Sequence, residues 1–373
     1  MRRITYFLVK IKAEINFLPN NIKYHFTKKK RVVYVGCTEQ GNLGDDAIFD
    51  AIRLMLKEDM CLYPISYAQP ASGGFFRQIF FKNPDYIILG GGTIIKKGKE
   101  ESYLRLLMQW HNLFPDSKMA VLGPGVVNPK FSNDIGFPID IDAWKETLEK
   151  CTFISVRGPL SKAELDCWGM NKNIHVFYDP ALWYVKKEFK TKKEQKKIAV
   201  NFANIKNRIH GGDSTLIEKF AFSIVRKLVL SGWEVYLYPT TKSDNHYMLE
   251  TIGLKAINGI HVYSNFMNIY ESTDFLESMD LLLGQRLHSV IFSACVATPF
   301  IALEYEPKTN DFLQSIGMAD YSYRVDNLEL RIIYEHLIDI YGNIHEEQRK
   351  LSEKLKTAKR EQMRCVELFL TTK

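Results

Sequence analysis

The chain has 373 residues, which exceeds the size at which one hydrophobic core usually stops growing, so we expect two domains. Its 46% hydrophobic and 25% charged residues are ordinary for a globular protein and exclude a fibrous or disordered chain. The formal net charge of +7 suits an anionic substrate or an anionic membrane surface, and no helix-turn-helix, RNP or zinc-finger signature points to nucleic acid.

The cysteines are scattered and form no Cys-x-x-Cys pair, which favours a reduced, cytosolic chain over a disulfide scaffold or a zinc site. No apolar run reaches the roughly 18 residues that a membrane-spanning helix needs. The apolar stretch 6–9 is too short for a signal peptide, and the charged residues Lys10 and Lys12 come directly after it. The sequence therefore predicts a cytoplasmic protein.

Residues 1–30 form a basic N-terminal segment in which cations such as Arg2, Arg3 and Lys10 alternate with aromatic residues such as Phe7 and Phe17. Two interpretations stay open for this amphipathic segment. It is either a helix packed on the first domain or a peripheral contact with the inner face of the cytoplasmic membrane.

Short apolar runs alternate with helical patterns from residue 31 onward. Strands are predicted at 32–36, 86–89, 119–122, 152–155, 175–178, 198–202, 234–238, 281–284 and 300–303. Helices are predicted between many of them, among others at 45–56, 160–168 and 216–230. This alternation predicts βαβ units and parallel sheets, hence an α/β protein.

A nearly all-polar basic run at 185–197 interrupts this pattern and is typical of a solvated linker. It separates a first Rossmann-like domain (31–186) from a second one (198–343), with 187–197 as the linker. The unbroken helical pattern at 344–370 predicts a C-terminal helix within 344–373 that packs back on the body.

Glycines follow two strands of the first half. Gly36, Gly41 and Gly44 permit a tight strand-to-helix turn, although neither GxGxxG nor a P-loop lysine is present. Asp45 is placed either to cap the next helix or to contact a hydroxyl-rich ligand such as a sugar. Asn42 belongs to the same turn.

A run of three glycines, Gly90, Gly91 and Gly92, follows the strand at 86–89, where the lack of side chains lets the backbone approach a ligand. A plain tight turn is the alternative. We assign Asn42, Asp45, Gly91 and Gly92 to the part of a site in the first domain that binds such a hydroxyl-rich ligand. We call it the acceptor side below.

Arg157 ends an apolar strand just before a helix begins. A guanidinium holds carboxylate or phosphate through two contacts. A salt bridge to a nearby acid, such as Asp179, explains the residue equally well, so both interpretations stay open.

Arg286 and His288 follow the apolar strand at 279–283, and Lys308 follows the strand at 300–303. Ligands of open α/β sheets bind at the carboxyl edge of the strands, where these groups should lie. Two cations and a proton-carrying imidazole predict a site for a small, highly charged anion with a proton donor beside it. Cys295 lies in an apolar helix and is interpreted as core.

These motifs together resemble the polysaccharide pyruvyl transferase family. The matching pieces, in the family's order, are NLGDDA, YIILGGG, GPG, SVRGPLS, YDPAL, YPTTKSDN, GQRLHSVIFSACVATPFIAL and EYEPK. They cover about residues 32 to 317. One departure is Gly158, where the family usually carries Asp after the Arg.

The resemblance implies two Rossmann-like domains facing across a cleft, similar to the two-domain GT-B glycosyltransferases. It implies transfer of pyruvyl from phosphoenolpyruvate to a sugar of a capsule or other exopolysaccharide, or of its lipid-linked precursor, as a cyclic ketal. It assigns donor binding to Arg157, Arg286, Leu287, His288 and Lys308, and it makes Arg157 and His288 catalytic. The implied reaction needs no metal or redox cofactor. Two alternatives stay open, a nucleotide-sugar-dependent glycosyltransferase and a non-catalytic sugar-binding assembly protein.

Overall fold

A computed structural model describes residues 18–38, 41–65, 81–98, 102–191, 194–206, 208–263 and 268–372. In these parts the protein folds into two α/β domains, each built on a parallel sheet. The predicted fold class is confirmed.

The first domain holds β1 (Lys30–Val35), β2 (Met60–Ile65), β3 (Tyr86–Gly90), β4 (Thr93–Ile95), β5 (Lys118–Leu122), β6 (Gly125–Val126), β7 (Phe153–Val156) and β8 (Ile174–Val176). Its helices are α1 (18–26), α2 (Leu43–Met55), α3 (Tyr103–Leu113), α4 (Pro129–Asp134), α5 (Ile141–Leu148) and α6 (Pro159–Cys167). The described strands pair in the order β2-β1-β3-β5-β7-β8, and β4 pairs with β6 apart from this sheet.

Alternate residues of the first sheet enter two different hydrophobic clusters. Val33 and Val35 of β1 pack in one cluster, whereas Val32 and Tyr34 pack in the other. Side chains of a strand point to opposite faces in turn, so both faces of this sheet are covered. Uniformly apolar strands are the sequence pattern of such a sheet.

The second domain holds β9 (Lys197–Asn201), β10 (Glu234–Leu237), β11 (Ile260–Val262), β12 (Leu281–Gly284), β13 (Phe300–Glu304) and β14 (Ser322–Arg324). Its helices are α7 (Ser214–Leu230), α8 (Ile269–Glu277), α9 (Leu287–Cys295), α10 (Lys308–Ser315) and α11 (Leu330–Gly342). Single turns lie at Pro180–Tyr184, Asp244–His246, Tyr247–Thr251, Leu254–Ala256 and Ala319–Tyr321. The described strands pair in the order β11-β10-β9-β12-β13-β14.

Both sheets reverse their strand order at a switch point, between β1 and β3 in the first and between β9 and β12 in the second. A crevice forms outside the carboxyl ends of the strands at such points. The two crevices meet, because the Leu43 amide donates to the Thr240 carbonyl and Asn42 bridges Thr241. The candidate site lies at this junction.

The C-terminal helix α12 (Ile344–Thr371) crosses from the second domain to the first. Leu351 and Leu355 pack in the second core, while Val366 and Phe369 pack against the first sheet. The helix therefore ties the two domains together.

The segment predicted as a solvated linker has no regular structure in its described residues before Lys197, which begins β9, and it is tied to the second domain. Lys186 pairs with Asp274 and Glu277 at 2.9 and 3.0 Å, and the Lys190 carbonyl accepts from Gln348. Residues 1–17 of the basic N-terminal segment lie outside the described residues.

Candidate active site

A pocket of about 60 Å³ lies between the two domains. It is lined by Asn42, Asp45, Gly92, Thr93, Arg157, Thr240, Arg286, Leu287, His288, Tyr305 and Lys308. Every predicted site residue except Gly91 therefore lines a single pocket. The acceptor-side and donor-side groups, which we placed on different sides of a site, share it.

Arg157 is 1% exposed and reaches the pocket from the end of β7. Its Nε lies 2.9 Å from Oδ2 of Asp179, and its Nη1 donates to the Thr93 hydroxyl at 3.1 Å. Both interpretations of this residue are thus realised at once, an ion pair and a pocket-lining cation. Gly125 makes room, because a Cβ there would lie 2.9 Å from Nη1.

Three buried polar atoms converge at this ion pair. Nε of Arg157, Oδ2 of Asp179 and Nε2 of His288 have no aligned hydrogen bond among the described residues, although the first two attract each other as charges. Nε2 of His288 lies 3.9 Å from Oδ2 of Asp179. Since buried polar groups are normally hydrogen-bonded, this group marks a position of chemical interest rather than a purely structural one.

His288 stands in the first turn of α9, against the backbone of α2 across the cleft. A Cβ on Gly44 would lie 2.1 Å from Nδ1 of His288, so the imidazole occupies the space that a side chain would need. Burial lowers the pKa of His288 to about 4, Asp179 opposes this, and Arg157, Lys308 and Arg286 add to it. The imidazole is therefore neutral near neutral pH in the unliganded pocket.

Arg286 is the N-cap residue of α9, and Asn201 holds its amide at 2.9 Å. Its guanidinium is fixed by Asp244, with Nη2 2.7 Å from Oδ1 and Nε 3.0 Å from both carboxylate oxygens. Asp244 is fully buried and also accepts from the amides of Thr240 and Thr241. The cation is thus preorganised rather than free to swing.

Lys308 is the first residue of α10, so its ammonium and the amino end of that helix both face the pocket. It pairs with Glu306 and lies 4.8 Å from the centre of the Tyr305 ring. Helix ends of this polarity favour bound anions.

The alternative in which Asp45 caps α2 is wrong. The helix begins two residues earlier, and its cap is Asn42, whose Oδ1 accepts from the Gly44 amide at 3.1 Å. Asn42 also donates to Oδ2 of Asp45 at 2.9 Å, which turns that carboxyl to the pocket. Burial raises the pKa of Asp45, while Lys308 and Lys96 lower it.

A family model described as polysaccharide pyruvyl transferase matches residues 42–307 of this chain. The match spans more than half of the chain and includes every residue of the pocket except Lys308. The chain belongs to the polysaccharide pyruvyl transferase family. It is accordingly a transferase of polysaccharide biosynthesis.

Solved structures support the fold. A UDP-N-acetylglucosamine 2-epimerase of Listeria monocytogenes, described as putative, matches with a TM-score of 0.55 and 14% identity, over 87% of this chain and 91% of that one. An α-glucosyltransferase in complex with UDP and DNA has a TM-score of 0.55 and 8% identity, over 91% and 99%. MnaA of S. aureus, solved with UDP, has a TM-score of 0.55 and 10% identity, over 88% and 94%.

The departure of this chain from the family pattern at Gly158 has a structural counterpart. A Cβ on Gly158 would lie 2.3 Å from Oδ1 of Asp311, which comes from α10 of the other domain. The Asp311 carboxylate accepts from the amides of Leu160 and Ser161 at 2.9 and 3.1 Å. The carboxylate beside the Arg157–Gly158 turn thus comes from Asp311 of the second domain and not from residue 158. Its hydrogen bonds also join α6 to the second domain.

Sequence reasoning missed Thr93, Thr240 and Tyr305 of the pocket. Each stands one to three residues beyond the carboxyl end of a strand or a glycine turn. Residues in such positions lie at the ligand-binding edge of the sheet, so their place in the sequence could have predicted a site role. Gly91 has φ of +68° and sits against Ile48 and Tyr34, so it shapes the turn without lining the pocket. Along the described parts, no helix is long and apolar enough to cross a membrane.

Proposed function

We propose that this protein transfers pyruvyl from phosphoenolpyruvate to a sugar of a bacterial-type cell-surface polysaccharide, or to its lipid-linked precursor, in the cytoplasm. The products are a cyclic pyruvate ketal and inorganic phosphate. The observation that carries the proposal is the convergence of Arg157, Arg286 and Lys308 with His288 on one small pocket.

The donor carries a carboxylate and a phosphate, and the pocket supplies cations from both domains. Arg286 offers a fixed guanidinium, Lys308 a charge at a helix start, and Arg157 a buried guanidinium from the opposite wall. Charge-assisted contacts of this kind contribute roughly 1.5–3 kcal/mol each. We assign phosphate and carboxylate recognition to these three residues, with Leu287 as the apolar wall.

His288 acts as the proton donor. The negative charge of bound phosphoenolpyruvate raises the pKa of the His288 imidazole from its low value. When phosphoenolpyruvate binds, the imidazole therefore takes up the proton that the reaction needs. Transfer of this proton to the methylene carbon makes the adjacent carbon, which carries the phosphate ester oxygen, electrophilic. One sugar hydroxyl adds to this carbon and releases its proton. The bond from the carbon to the phosphate oxygen then breaks, the second hydroxyl bonds to the same carbon to close the ketal, and the leaving phosphate takes the proton of that hydroxyl.

Asp179 acts as a positioning residue. Its fully buried carboxylate lies between the Arg157 guanidinium and the His288 ring, and its charge acts to raise the pKa of that ring. Gln362 of α12 holds the Asp179 carbonyl at 2.8 Å, so the C-terminal helix supports the site from outside.

Asp45 faces the acceptor. A carboxyl whose pKa is raised by burial is a better proton acceptor for a sugar hydroxyl than an exposed one. Asn42 fixes its orientation, and Gly92 lies beside it, since a Cβ there would come within 3.7 Å of Oδ1 of Asp45. We therefore keep Asn42, Asp45, Gly91 and Gly92 on the acceptor side of the reaction, although Asn42, Asp45 and Gly92 share the pocket with the cations and Gly91 shapes the turn behind it.

The alternative with a nucleotide-sugar donor draws on the UDP complexes among the structural neighbours. The pocket of about 60 Å³ is far smaller than the roughly 300–1,000 Å³ of ordinary small-molecule sites, which favours a compact anion. A non-catalytic sugar-binding protein would bind acceptor and release no phosphate.

Thermal shifts measured with phosphoenolpyruvate, UDP and UDP-sugars separate these functions. We expect phosphoenolpyruvate to raise Tm and the nucleotides to have no effect at equal concentration. Arg286→Gln should abolish the shift, whereas Arg331→Gln, which removes an exposed arginine far from the pocket on α11, should retain it. A shift with UDP-sugar alone would overturn the proposal.

A further inference from the structure

The first domain exposes an apolar and basic surface at the amino edge of its sheet. Ile22 and Phe26 are 42% and 71% exposed and lie four residues apart on one face of α1. Leu113, at the end of α3, is 65% exposed. We call the outward face of α1 together with the neighbouring starts of β1, β3 and β5 the amino-edge surface.

The opposite face of α1 is anchored, so the apolar residues are held outward. Tyr24 is 1% exposed, stacks on Phe81 with ring centres 4.9 Å apart and meets Tyr63 edge-on at 5.5 Å. The Arg31 guanidinium donates to the carbonyls of Tyr24, His25 and Thr27 at the end of the helix. Turning Ile22 and Phe26 inward would break this packing.

Cations surround these apolar residues. The exposed lysines of the region are Lys23, Lys28, Lys29, Lys30, Lys57, Lys82 and Lys118. The exposed carboxylates beside them are Glu58, Asp59, Asp85 and Asp116. Lys30, Leu113 and Lys118 line one open depression of about 620 Å³ together with Asp85 and Asp116, so the start of β1 and the end of α3 share one surface.

We propose that the amino-edge surface docks on an anionic phospholipid leaflet. Aromatic and aliphatic side chains that insert at the headgroup boundary, ringed by lysines, are the chemistry that such a surface recognises. A protein partner fits less well, because lysine is depleted in protein interfaces. The sequence before α1 has the same character, with Arg2, Arg3, Lys10 and Lys12 against the single acid Glu14.

The geometry leaves the active site free while the surface is docked. The pocket lies at the carboxyl edge of the sheet, one strand length from the amino edge. A six-residue strand such as β1 spans about 20 Å. The protein would therefore stand on the leaflet with its cleft raised above the headgroups, within reach of a sugar chain carried on a lipid.

Co-sedimentation of the full chain with vesicles tests this proposal. The vesicles are phosphatidylcholine alone or phosphatidylcholine with phosphatidylglycerol, at low and high salt. The test variant is Ile22→Ser/Phe26→Ser/Leu113→Ser. The matched control is Leu230→Ser/Tyr270→Ser/Ile332→Ser in the second domain, whose side chains are 77%, 62% and 44% exposed.

We expect the wild type and the control to sediment with anionic vesicles at low salt and not with neutral ones. The test variant should bind at least tenfold more weakly, because it no longer buries three large apolar side chains at the headgroup boundary. Tm should be equal for both variants, since all six positions are exposed.

A second variant, Lys23→Gln/Lys28→Gln/Lys30→Gln, should lose binding and most of its salt dependence. Equal sedimentation of wild type and test variant would overturn the proposal, and so would a dimer that the test variant disrupts without any vesicle binding. The readout involves neither phosphoenolpyruvate nor phosphate, so its outcome is separate from that of the transferase reaction.

Discussion

Arg157 joins structure and chemistry in one side chain. Its guanidinium is buried against the fully buried Asp179 and still lines the pocket. Removing one partner of such a pair leaves an uncompensated buried charge and costs about 3–5 kcal/mol. A loss of activity in Arg157→Ala would therefore not by itself identify a donor contact.

Arg157→Lys is the sharper variant. Lysine keeps the charge opposite Asp179 but lacks the planar fork that also reaches Thr93. We expect a folded protein whose affinity for phosphoenolpyruvate falls at least tenfold, measured by calorimetry, with urea unfolding as the control for stability. Wild-type affinity in Arg157→Lys would remove this residue from the donor site.

The enzyme should lose most of its turnover when residue 288 can no longer supply a proton. We expect His288→Gln to depress the turnover number by roughly 10²–10⁴ while phosphoenolpyruvate still binds. Phosphate release under saturating donor measures the first quantity and calorimetry the second. A fully active His288→Gln excludes the proton-donor role, and an equal loss of binding makes the residue a ligand contact.

The low pKa of His288 predicts a stability that depends on pH. Between its folded pKa of about 4 and its ordinary value near 6.5, the unfolded chain binds more protons at this residue than the folded one. The free energy of unfolding should therefore fall as pH decreases through that window. His288→Gln should remove part of this slope in urea titrations at several pH values, and an unchanged slope would contradict the assignment.

Donor binding should take up a proton for the same reason. Calorimetry near pH 6.5 in buffers of different ionisation enthalpy measures the number of protons taken up per phosphoenolpyruvate bound. We expect net uptake in the wild type and less in His288→Gln. Asp179→Asn, which removes the carboxylate facing the ring, should weaken the uptake without removing a group that touches the donor.

At the scale of the element, every central strand of the two six-stranded sheets was predicted, whereas β8 was the one edge strand of these described sheets that was predicted, and the small β4–β6 pair was missed. Runs such as 281–284 are uniformly apolar because neighbours cover both faces, and the strand there begins and ends as predicted. β2, β11 and β14 were missed, and all three are edge strands. β2 carries Pro64, which a central strand rarely tolerates, and β14 is short and polar.

At the start of α2, Asn42 caps the helix, whereas Asp45 lines the pocket without capping. Asn42→Ala should destabilise the protein by about 1 kcal/mol through loss of the cap. Asp45→Asn removes a buried carboxyl that is no cap, so we expect an unchanged or higher Tm, together with a Michaelis constant that rises more for the acceptor than for the donor. Equal loss of stability in both variants would contradict this division.

Gly44 should tolerate no side chain, because a Cβ there meets the His288 ring across the cleft. Gly342 is the matched control, since a Cβ at that helical position meets nothing within 4 Å. We expect Gly44→Ala to lose turnover, while Gly342→Ala keeps it and gains about 0.5–1 kcal/mol of stability. Full activity in Gly44→Ala would mean that this contact opens during the reaction.

At the scale of the whole molecule, the partners of the site residues lie far apart in sequence. Asp244 holds Arg286, and Asp311 fills the space beside Gly158 from the other domain. Strand ends and cationic motifs indicated which residues reach the cleft. They indicated Asp179 as a partner of Arg157. They did not indicate Asp244 for Arg286, because the packing of the second domain brings that pair together, or Asp311, because its place depends on how the two domains meet.

The two domains are also joined by contacts that close the pocket, from the Leu43 amide to Thr240 and from Asp311 to α6. A pocket built from both domains can bind a small anion only when they are together. Donor capture and the positioning of His288 should therefore occur as a single event.

Direct assay of the transfer tests the central claim. The protein is incubated with phosphoenolpyruvate and a panel of galactosides, glucosides and mannosides, while phosphate release and product mass are followed together. We predict one acceptor class that gains a pyruvyl ketal with one phosphate released per sugar modified, at a rate that falls by roughly 10²–10⁴ with His288→Gln. Glycosyl transfer from a nucleotide sugar, with phosphoenolpyruvate left intact, would contradict the proposed function.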